Sequence, residues 1–523
     1  MRRGLGLRNL FGALAIFTLA CQPAQPGPAP AKDAPTAAPA AKQPAAQGVS
    51  PTRVVIGATE TIESPSPYAH IDPVKFGIWC EVYGCLIRQD WEKGGYGGQL
   101  AESWKVENPT TWAFSLRKGV KWQDGSPLTA GDVVHSFERI MNDPATPQKQ
   151  LIQPIARVEA VGDETFKIIT KEPTATLLNF IKDIAITNKA LYGQYGDNVY
   201  KDKPVGAGPY MFKELVPDQH VTIVKNPNWW AGPVQGPDEV VFRVMRETEV
   251  RVAALLNNEV QIAQYIPPHM AERVTSNSTT RIVPFDAIEG MFLAMRPDSP
   301  PFDNKLVRQA VAYAVDRDAI IKNVLQGYAE RLDGPIGQSR YGYNPDLRPK
   351  YTYDPEKAKQ LLTQAGYPNG VDVELSTPVG RYTQDKQISE AAAHMLTTVG
   401  IRTKLVTPEW ATLWDNVMKG RVPFYYMGRL IFDPDDLRTY FETGVTPRIG
   451  YSNPKFDELL RKQRSTFDPE ERQKTIFELT NLLTEEAPAH FMWRHKILTG
   501  MARSVEFPQR PDDRLFANDI RVR

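Results

Sequence analysis

The sequence predicts a mixed α/β protein divided into two or three lobes. At 523 residues, the chain is too long to bury its apolar surface in a single core. Segments such as Thr111–Leu116 alternate with the period of a strand, whereas Val307, Ala310, Val311 and Ala314 recur on one face of a helix. Hydrophobic residues make up 41% of the chain and charged residues 24%, as in ordinary globular proteins.

The charge balance restricts the class of partner. Lysine and arginine nearly equal aspartate and glutamate in number, which leaves a net charge of +1. A chain that binds nucleic acid or a strongly anionic membrane is usually far more basic. We therefore expect no nucleic-acid partner.

The first 21 residues have the features of a leader. Arg2, Arg3 and Arg8 form a basic start, and residues 10–20 are an apolar run of 11 residues. A bilayer needs about 20 apolar residues to be spanned, so this run is too short to be a membrane helix. Residues 18–21 (TLAC) resemble a bacterial lipobox, in which Cys21 would be lipidated. Thr18 stands where that motif usually has leucine, and a plain secretory signal is the alternative.

Residues 22–50 are predicted to be a tether. This segment contains seven prolines and ten alanines in 29 residues, with almost no large apolar side chain. Such a composition cannot bury enough surface to fold, and its prolines keep the chain extended. Together with a lipidated Cys21, it would hold a globular body near a membrane, touching the membrane through the lipid alone.

The body contains clear signals of local structure. Arg53–Ala58 reads as an apolar strand, and residues 205–230 read as a hairpin. Thr129 followed by Asp132 has the spacing of a capping box. Asp303 is expected to cap the helix that carries the apolar face named above.

Two more helices have a distinct start signal. Asp354 and Asp468 are each followed by proline, which favours an aspartate cap with proline in the first turn. Gly366 is expected to end the first of these helices.

An ordered series of these segments resembles one protein family. Residues 205–230 contain VGAGPY and NPNWW, and residues 99–140 contain LAESW, LRKGVKW and DGSPLTAGDV. Later segments read EVQIA, FDNKLVRQAVAYAVDR, DPEKAKQLLTQAGY and NPKFDELL. In this order, the motifs resemble the family 5 extracellular solute-binding proteins, which are the peptide, nickel and opine receptors of ABC importers.

The resemblance covers about residues 53–500 and implies the architecture. It implies a periplasmic-binding-protein type II fold of two hinged lobes plus an extra region, as in class C substrate-binding proteins. Lobe I is expected to combine 51–88, 200–288 and 497–523. Region II is expected at 89–199 and lobe III at 289–496.

The remaining cysteines, Cys80 and Cys85, leave two alternatives open. They could close a small disulfide outside the cytoplasm, or they could be two buried free thiols.

Nothing in the sequence predicts catalysis or a cofactor. G-x-S-x-G, P-loop, H-E-x-x-H and C-x-x-C motifs are all missing from it. His490 and His495 do not share a helical face, and Met492 and Trp493 between them read as core. Residues 433–436 (DPDD) lack the spacing of a calcium loop and are expected to be a solvated turn before a helix at 437–441. We expect no enzyme activity, no catalytic residue, no cofactor and no metal site.

The resemblance implies a ligand site between the lobes. Peptide-binding members hold the ligand's α-amino group with an aspartate that follows a Gly-Trp pair. Here Arg429 stands where tryptophan is common. If Asp433-Pro434 matches the later Asp-Pro of the family, the amine-binding position falls on Leu430. If the loop is shifted, Asp433 could serve instead.

Two arginines and several apolar side chains complete the predicted site. Arg381 and Arg429 would suit a carboxylate or phosphate, because a guanidinium gives bidentate geometry and stays charged when dehydrated. This pair would favour an acidic small ligand over a zwitterionic peptide. Tyr382, Trp410 and Met427 would give apolar cover. The alternatives are salt-bridging arginines and core side chains.

The predicted function is therefore capture of a ligand for import. The resemblance implies an extracytoplasmic, lipid-anchored and monomeric substrate-binding protein that closes on a peptide or peptide-like ligand. It would deliver that ligand to an ABC permease and ATPase complex. The alternatives are a receptor for an opine, a nickel chelate or an acidic small molecule, or a surface sensor without a transport role.

Overall fold

The computed structural model describes residues 52–523, except 61, 92–94, 339, 509 and 513. The predicted leader, lipidated Cys21 and tether lie outside these described residues. Within them, every helix is too short or too polar to cross a membrane.

The strands are short, except for two that run through the middle of the molecule. In chain order they are β1 (Arg53–Ala58), β2 (Ile87–Gln89), β3 (Tyr96–Gly98), β4 (Ala101–Asn108), β5 (Thr111–Leu116), β6 (Ile155–Ala160), β7 (Thr165–Thr170), β8 (Tyr210–Val216), β9 (His220–Lys225), β10 (Glu239–Val244), β11 (Ile262–Ala263), β12 (Thr280–Met295), β13 (Ala329–Arg331), β14 (Val371–Ser376), β15 (Ile401–Val406), β16 (Phe424–Leu430), β17 (Ala489–Ala502), β18 (Val505–Glu506) and β19 (Arg521–Val522). The two long strands are β12 and β17.

The helices connect these strands and cover the sheets. They are α1 (Pro73–Tyr83), α2 (Ala130–Asn142), α3 (Leu177–Ile181), α4 (Lys189–Tyr195), α5 (Val199–Asp202), α6 (Thr248–Leu256), α7 (Ala271–Thr275), α8 (Lys305–Ala314), α9 (Arg317–Asn323), α10 (Pro355–Gln364), α11 (Asp385–Thr398), α12 (Trp410–Met418), α13 (Arg438–Phe441), α14 (Pro454–Ser465) and α15 (Pro469–Glu486). The resulting fold is the predicted mixture of α and β structure.

The largest sheet has two halves that meet at the long strands. Its order is β15-β14-β16-β12-β17-β11-β1-β10-β9-β8, with β13 beside β17. In the first half, β1 is parallel to β10 and β11. In the second half, β14 is parallel to β15 and β16. The antiparallel strands β12 and β17 therefore pass from one half to the other.

The pairing of β12 with β17 is interrupted at the crossing. Residues 280–286 pair in one register, the pairing resumes at Gly290 after a shift, and a second shift lies between Met291 and Phe292. Such an irregularity bends a strand locally and leaves part of the ladder unpaired. The two halves of the sheet are thus joined through a discontinuity rather than through a uniform ladder.

The apolar side chains form separate cores on the two sides of this crossing. One core takes its members from residues 54–262 and 501–520, and it includes the inner face of the small sheet β4-β5-β7-β6. Another takes its members from residues 291–493. A smaller cluster surrounds α6 and α7. The exact lobe boundaries given above remain predictions.

Several sequence-based expectations about local structure are confirmed. β1 has the predicted bounds, and β8 and β9 form the predicted hairpin. The backbone N–H of Thr129 donates to Asp132 at 2.8 Å, as the capping box requires. Asp354 and Asp468 accept from the third residue of α10 and α15, at 2.9 Å in each case.

Two expectations are wrong. Asn304, rather than Asp303, caps α8 and accepts from Leu306 N–H at 2.9 Å, because the helix begins one residue later than the cap at Asp303 would need. The turn at residues 433–436 is not solvated, since Asp435 is only 1% exposed. Its carboxylate is buried against α14, where the Arg464 side chain reaches it.

Cys80 and Cys85 form a disulfide at the end of α1. Their Cα atoms are 5.2 Å apart. Both side chains are buried and belong to the first core.

Candidate functional site

The loops at the carboxyl ends of the parallel strands converge near the crossing strands. Open parallel sheets bind ligands at this edge, because the loops that leave the strands there enclose a crevice. In the first half, the chain after β1 includes Glu60 and the chain after β11 includes 265–269. In the second half, β14 leads to Arg381, β15 to Trp410 and β16 to Asp433. Residues from both halves are therefore available to one ligand.

A cavity of about 380 Å³ lies between these two sets of loops. The first half contributes residues 265–269 and the second half contributes residues 379–380 and 382–387, while β17 contributes residues 495–498. This size falls in the range of roughly 300–1,000 Å³ that is typical of small-molecule sites. A larger groove of about 700 Å³ contains none of the six predicted ligand-binding residues.

The loop after β14 is held by one carboxylate. Asp385, the first residue of α11, accepts from the backbone N–H groups of Gly380, Arg381 and Tyr382 at 3.1, 2.9 and 3.0 Å. Gly380 has φ of 80°, a conformation that glycine adopts without strain. These bonds fix the backbone of the loop and leave the Arg381 side chain exposed.

The Arg381 guanidinium rests on aromatic rings. It lies 5.0 Å from the centroid of Tyr382 and 5.3 Å from that of Trp410, within the range of cation–π attraction. Among the described residues, no carboxylate forms an ion pair with it. Burial raises the pKa of the Glu60 carboxyl in the first half, and Arg381 is one of the cations that lower it. Arg381 is therefore near enough to Glu60 for its charge to act on that carboxyl.

Aromatic side chains extend this surface. Tyr382 is 9% exposed and lines the cavity, with its ring edge-on to Trp410 at 6.2 Å and to Tyr426 at 6.1 Å. Trp410 is stacked on Trp414 at 5.5 Å. The result is an aromatic wall that carries the Arg381 guanidinium at Tyr382 and Trp410, and the Arg448 guanidinium 4.8 Å from the centroid of Trp414.

The opposite face of β16 has a different character. Side chains alternate along a strand, so Met427 and Arg429 point away from the side on which Tyr426 meets Tyr382. Met427 is 1% exposed and Arg429 is 2% exposed. The Arg429 guanidinium lies 3.9 Å from the centroid of Tyr440 and donates to Thr439 Oγ1 at 3.1 Å. Burial lowers the pKa of Arg429 to about 10.

The loop after β16 has charges that are paired with one another. Asp433 accepts from Asp435 N–H at 2.8 Å and forms an ion pair with Arg472 at 2.5 Å. Asp435 accepts from Gln463 at 2.9 Å and from Arg464 at 2.8 Å. These contacts fasten the loop to α14 and α15.

A second set of paired charges lies in the C-terminal segment. Asp512 binds Arg510 at 2.8 Å and Arg514 at 3.0 Å, and it accepts from Trp91 at 3.1 Å. Burial alone would raise the pKa of Asp512, but the two guanidinium groups outweigh it and lower that pKa to about 2. Arg514 also pairs with Asp183.

The structure brings some of the predicted site residues together and separates others. Arg381, Tyr382 and Trp410 form one surface beside the cavity. Met427 and Arg429 lie on the other face of β16, and Asp433 is engaged with Arg472. Among the described residues, no group of three or more His, Cys, Asp or Glu side chains could hold a metal ion.

Sequence reasoning missed Glu289, a carboxylate on β12 beside this surface. It is paired with Leu430 across the strands. The signal that could have found it is its place in the run IEGMFLAM at 288–295, because a single carboxylate in a strand that is otherwise buried and apolar needs an explanation.

Comparison with known proteins identifies one matching family model and several similar relatives. The family model described as "Bacterial extracellular solute-binding proteins, family 5 Middle" matches residues 95–451. A dipeptide-binding protein of Escherichia coli (strain K12) is 30% identical over 445 residues, covering 78% of this chain and 82% of that protein. The heme-binding protein A of Haemophilus influenzae is 29% identical over 451 residues, covering 78% and 80%.

A solved structure agrees with the fold. The structure of HbpA2 from Haemophilus parasuis superposes with a TM-score of 0.80 at 24% identity, covering 90% of this chain and all of that one. At this identity, the likeness establishes the fold alone.

Proposed function

We propose, from the premise that the chain belongs to family 5 of the bacterial extracellular solute-binding proteins, that it captures a peptide or peptide-like ligand for an ABC importer. The ligand would be enclosed between the two halves of the large sheet, at the cavity beside Arg381. Relatives of this kind are solute-binding proteins rather than enzymes, and we assign no catalytic step to this chain.

One observation carries this proposal. Arg381 is an exposed cation on an aromatic wall at the edge of a cavity, and its charge is not used in an ion pair within the described residues. A guanidinium recognises a carboxylate through two parallel hydrogen bonds. Arg381 would bind a carboxylate of the ligand, while Tyr382 and Trp410 would cover its apolar part.

The other three predicted residues would act from behind the site. Met427 and Arg429 are buried on the far face of β16, and Asp433 holds the following loop through Arg472. We propose that these side chains support the wall of the site rather than touch the ligand.

The proposed mechanism is closure of the two halves around the ligand. Ligand contacts to both halves would favour the closed arrangement, which the permease would recognise. The break in pairing between Asp286 and Gly290 supplies a point at which β12 can bend. A lipid on Cys21 and the tether at 22–50 would keep the monomeric protein at the membrane outside the cytoplasm.

We base the proposed ligand class on the site rather than on the names of the relatives. Two relatives of nearly equal identity are named for different ligands, a dipeptide and heme. An acidic small molecule or an opine would be favoured if Arg381 and Arg429 shared one face. Because Arg429 is buried against Tyr440, the observations favour a peptide-like ligand with a single carboxylate at Arg381.

Native mass spectrometry and thermal unfolding test this proposal. The full-length protein, purified without denaturation, is expected to retain a small-molecule mass or to be stabilised by dipeptides. A ligand at 100 times its Kd adds about 2.7 kcal/mol to the unfolding free energy. Stabilisation by opines or nickel chelates but not by dipeptides would contradict the ligand class. If none of the probes binds or stabilises the protein, a sensor without a transport role would be favoured.

A further inference from the structure

Two arginines of the second half lie against one tyrosine ring. The Arg429 guanidinium is 3.9 Å from the centroid of Tyr440, and the Arg448 guanidinium is 4.8 Å from the same centroid. Arg448 also lies 4.8 Å from the centroid of Trp414, so its guanidinium contacts two aromatic rings. A guanidinium packs its planar group on such rings and keeps its N–H groups available for other partners. The rings therefore hold two cations near each other.

The hydrogen-bond partners of these side chains are neutral. Arg429 is only 2% exposed, and its Nε has no hydrogen-bond partner among the described residues. Its Nη1 donates to the Thr439 hydroxyl at 3.1 Å. The Nε of Arg448 lies 3.0 Å from the Met418 sulfur. Neither guanidinium forms an ion pair within the part of the chain that the structure describes.

The carboxylate that influences Arg429 is already engaged elsewhere. Asp436 is near enough to raise the pKa of Arg429, but it forms no ion pair with it within 4.0 Å. Its oxygens accept from the backbone N–H groups of Phe432 and Asp433 at 2.8 and 3.0 Å. Burial is the main cause that lowers the pKa of Arg429, and the charge of Arg448 lowers it further. The protein therefore leaves much of this positive charge uncompensated.

Arg429 differs in this respect from the other buried arginines of the second half. Each of those forms an ion pair with a carboxylate, and they are Arg296, Arg308, Arg317 and Arg494. A buried cation without a counter-charge is costly, because it loses its hydration and gains no ion pair in return. An anion from solution would supply the missing charge.

We infer that Arg429 and Arg448 form a binding site for a small oxyanion such as phosphate or sulfate, separate from the cavity beside Arg381. Two guanidinium groups can both donate N–H bonds to one tetrahedral oxyanion, and a doubly charged anion matches their combined charge. Arg448 is partly exposed, so solvent reaches this pair of side chains. The inference does not depend on the proposed capture of a peptide.

Calorimetric titration of the full-length protein with inorganic anions tests the inference. The probes are sodium phosphate, sodium sulfate and sodium acetate, each at neutral pH and at an ionic strength held constant with sodium chloride. The wild-type protein is expected to bind one phosphate or sulfate ion at least ten-fold more tightly than acetate. Arg448→Met and Arg429→Met are each expected to weaken phosphate binding at least ten-fold.

Arg421→Met is the matched control. Arg421 is an exposed arginine of the same half, and it has neither an ion pair nor an aromatic contact among the described residues. This variant is expected to retain the wild-type affinity for phosphate. An equal loss in Arg421→Met would overturn the inference, because it would indicate diffuse attraction to exposed arginines rather than a site.

Three further results would contradict the inference. They are a wild-type protein that does not bind phosphate, equal affinities for phosphate and acetate, and phosphate binding that Arg448→Met leaves unchanged. The comparison of anions needs no variant, and Arg448 is only partly buried. A folding defect in Arg429→Met therefore cannot obscure the result.

Discussion

Two charged regions at the junction of the sheet halves use their charges in opposite ways. In the paired cluster, defined as Asp433, Asp435, Arg464, Arg472, Arg510, Asp512 and Arg514, every carboxylate meets a guanidinium. In the open site, defined as Arg381, Tyr382, Trp410 and Glu289, neither charged group has an ion pair among the described residues.

The contrast separates structural charge from functional charge. A charge removed from water must be compensated, so a buried pair is costly to break. The paired cluster therefore fixes the loops, whereas the open site keeps charges for a ligand. Substitutions in the first region should alter stability, and those in the second should alter affinity.

The largest effect is expected from Asp435→Ala. This change removes the buried carboxylate that accepts from Arg464 Nε and from the Gln463 amide, and it leaves Arg464 with only its longer contact to Glu442 at 3.4 Å. Breaking one partner of a buried pair costs about 3–5 kcal/mol of unfolding free energy. Urea denaturation measures this loss. Asp415→Ala is the control, because Asp415 on α12 forms an exposed pair with Lys419, the residue that follows the helix, and this pair should contribute less than about 1 kcal/mol.

The next largest effect is expected on the unfolding free energy at acid pH. The pKa of Asp512 is about 2 in the folded protein, below its ordinary value of 3.8. The contribution of Asp512 to the unfolding free energy is therefore present above about pH 4 and is lost as the pH falls towards 2. This loss amounts to about 2 kcal/mol. Unfolding measured from pH 5 to pH 2 should show this slope, and Asp512→Asn should lack this part of it. An identical slope in the variant would contradict the assignment.

The open site should respond in the opposite way to Arg381→Met. Because Arg381 is exposed and has no ion pair among the described residues, the unfolding free energy should change by less than about 0.5 kcal/mol. Affinity for a dipeptide should fall at least ten-fold, which corresponds to about 1.4 kcal/mol. Calorimetry and urea denaturation of the same preparation measure both. A large loss of stability without a loss of affinity would place Arg381 with the structural charges.

The smallest effect on affinity is expected from Arg429→Met. Its side chain lies on the far face of β16, against Tyr440, so it has no direct contact with the open site. Sites without shared contacts change each other by about 0.5 kcal/mol or less, which is a factor of about two in affinity. A ten-fold loss in titration would restore the two-arginine, acidic-ligand hypothesis.

The sequence predicts the secondary structure of this protein better than its candidate site. Strand periods, the Asp-Pro helix starts and the capping box at Thr129 depend on local chemistry, so they can be read from neighbouring residues. Asp303 shows the limit of that approach, because two adjacent residues could both cap and the true start of α8 decides between them.

The candidate site depends on contacts between distant segments. Arg381 and Trp410 are brought together because β14 and β15 are parallel neighbours, which the family resemblance implies but local pattern does not. The burial of Asp435 requires Arg464, and the place of Glu289 requires Gly428 of another strand. Which face of β16 carries Arg429 also depends on strand pairing, so its separation from Arg381 could not be predicted.

Hydrogen–deuterium exchange with and without a bound dipeptide tests the central claim most directly. If the open site captures the ligand between the halves, protection should increase in residues 378–386 and 286–291. Residues 432–436, which are already held by the paired cluster, should change little. Protection confined to 432–436 and α14, with the loop after β14 unchanged, would contradict this account.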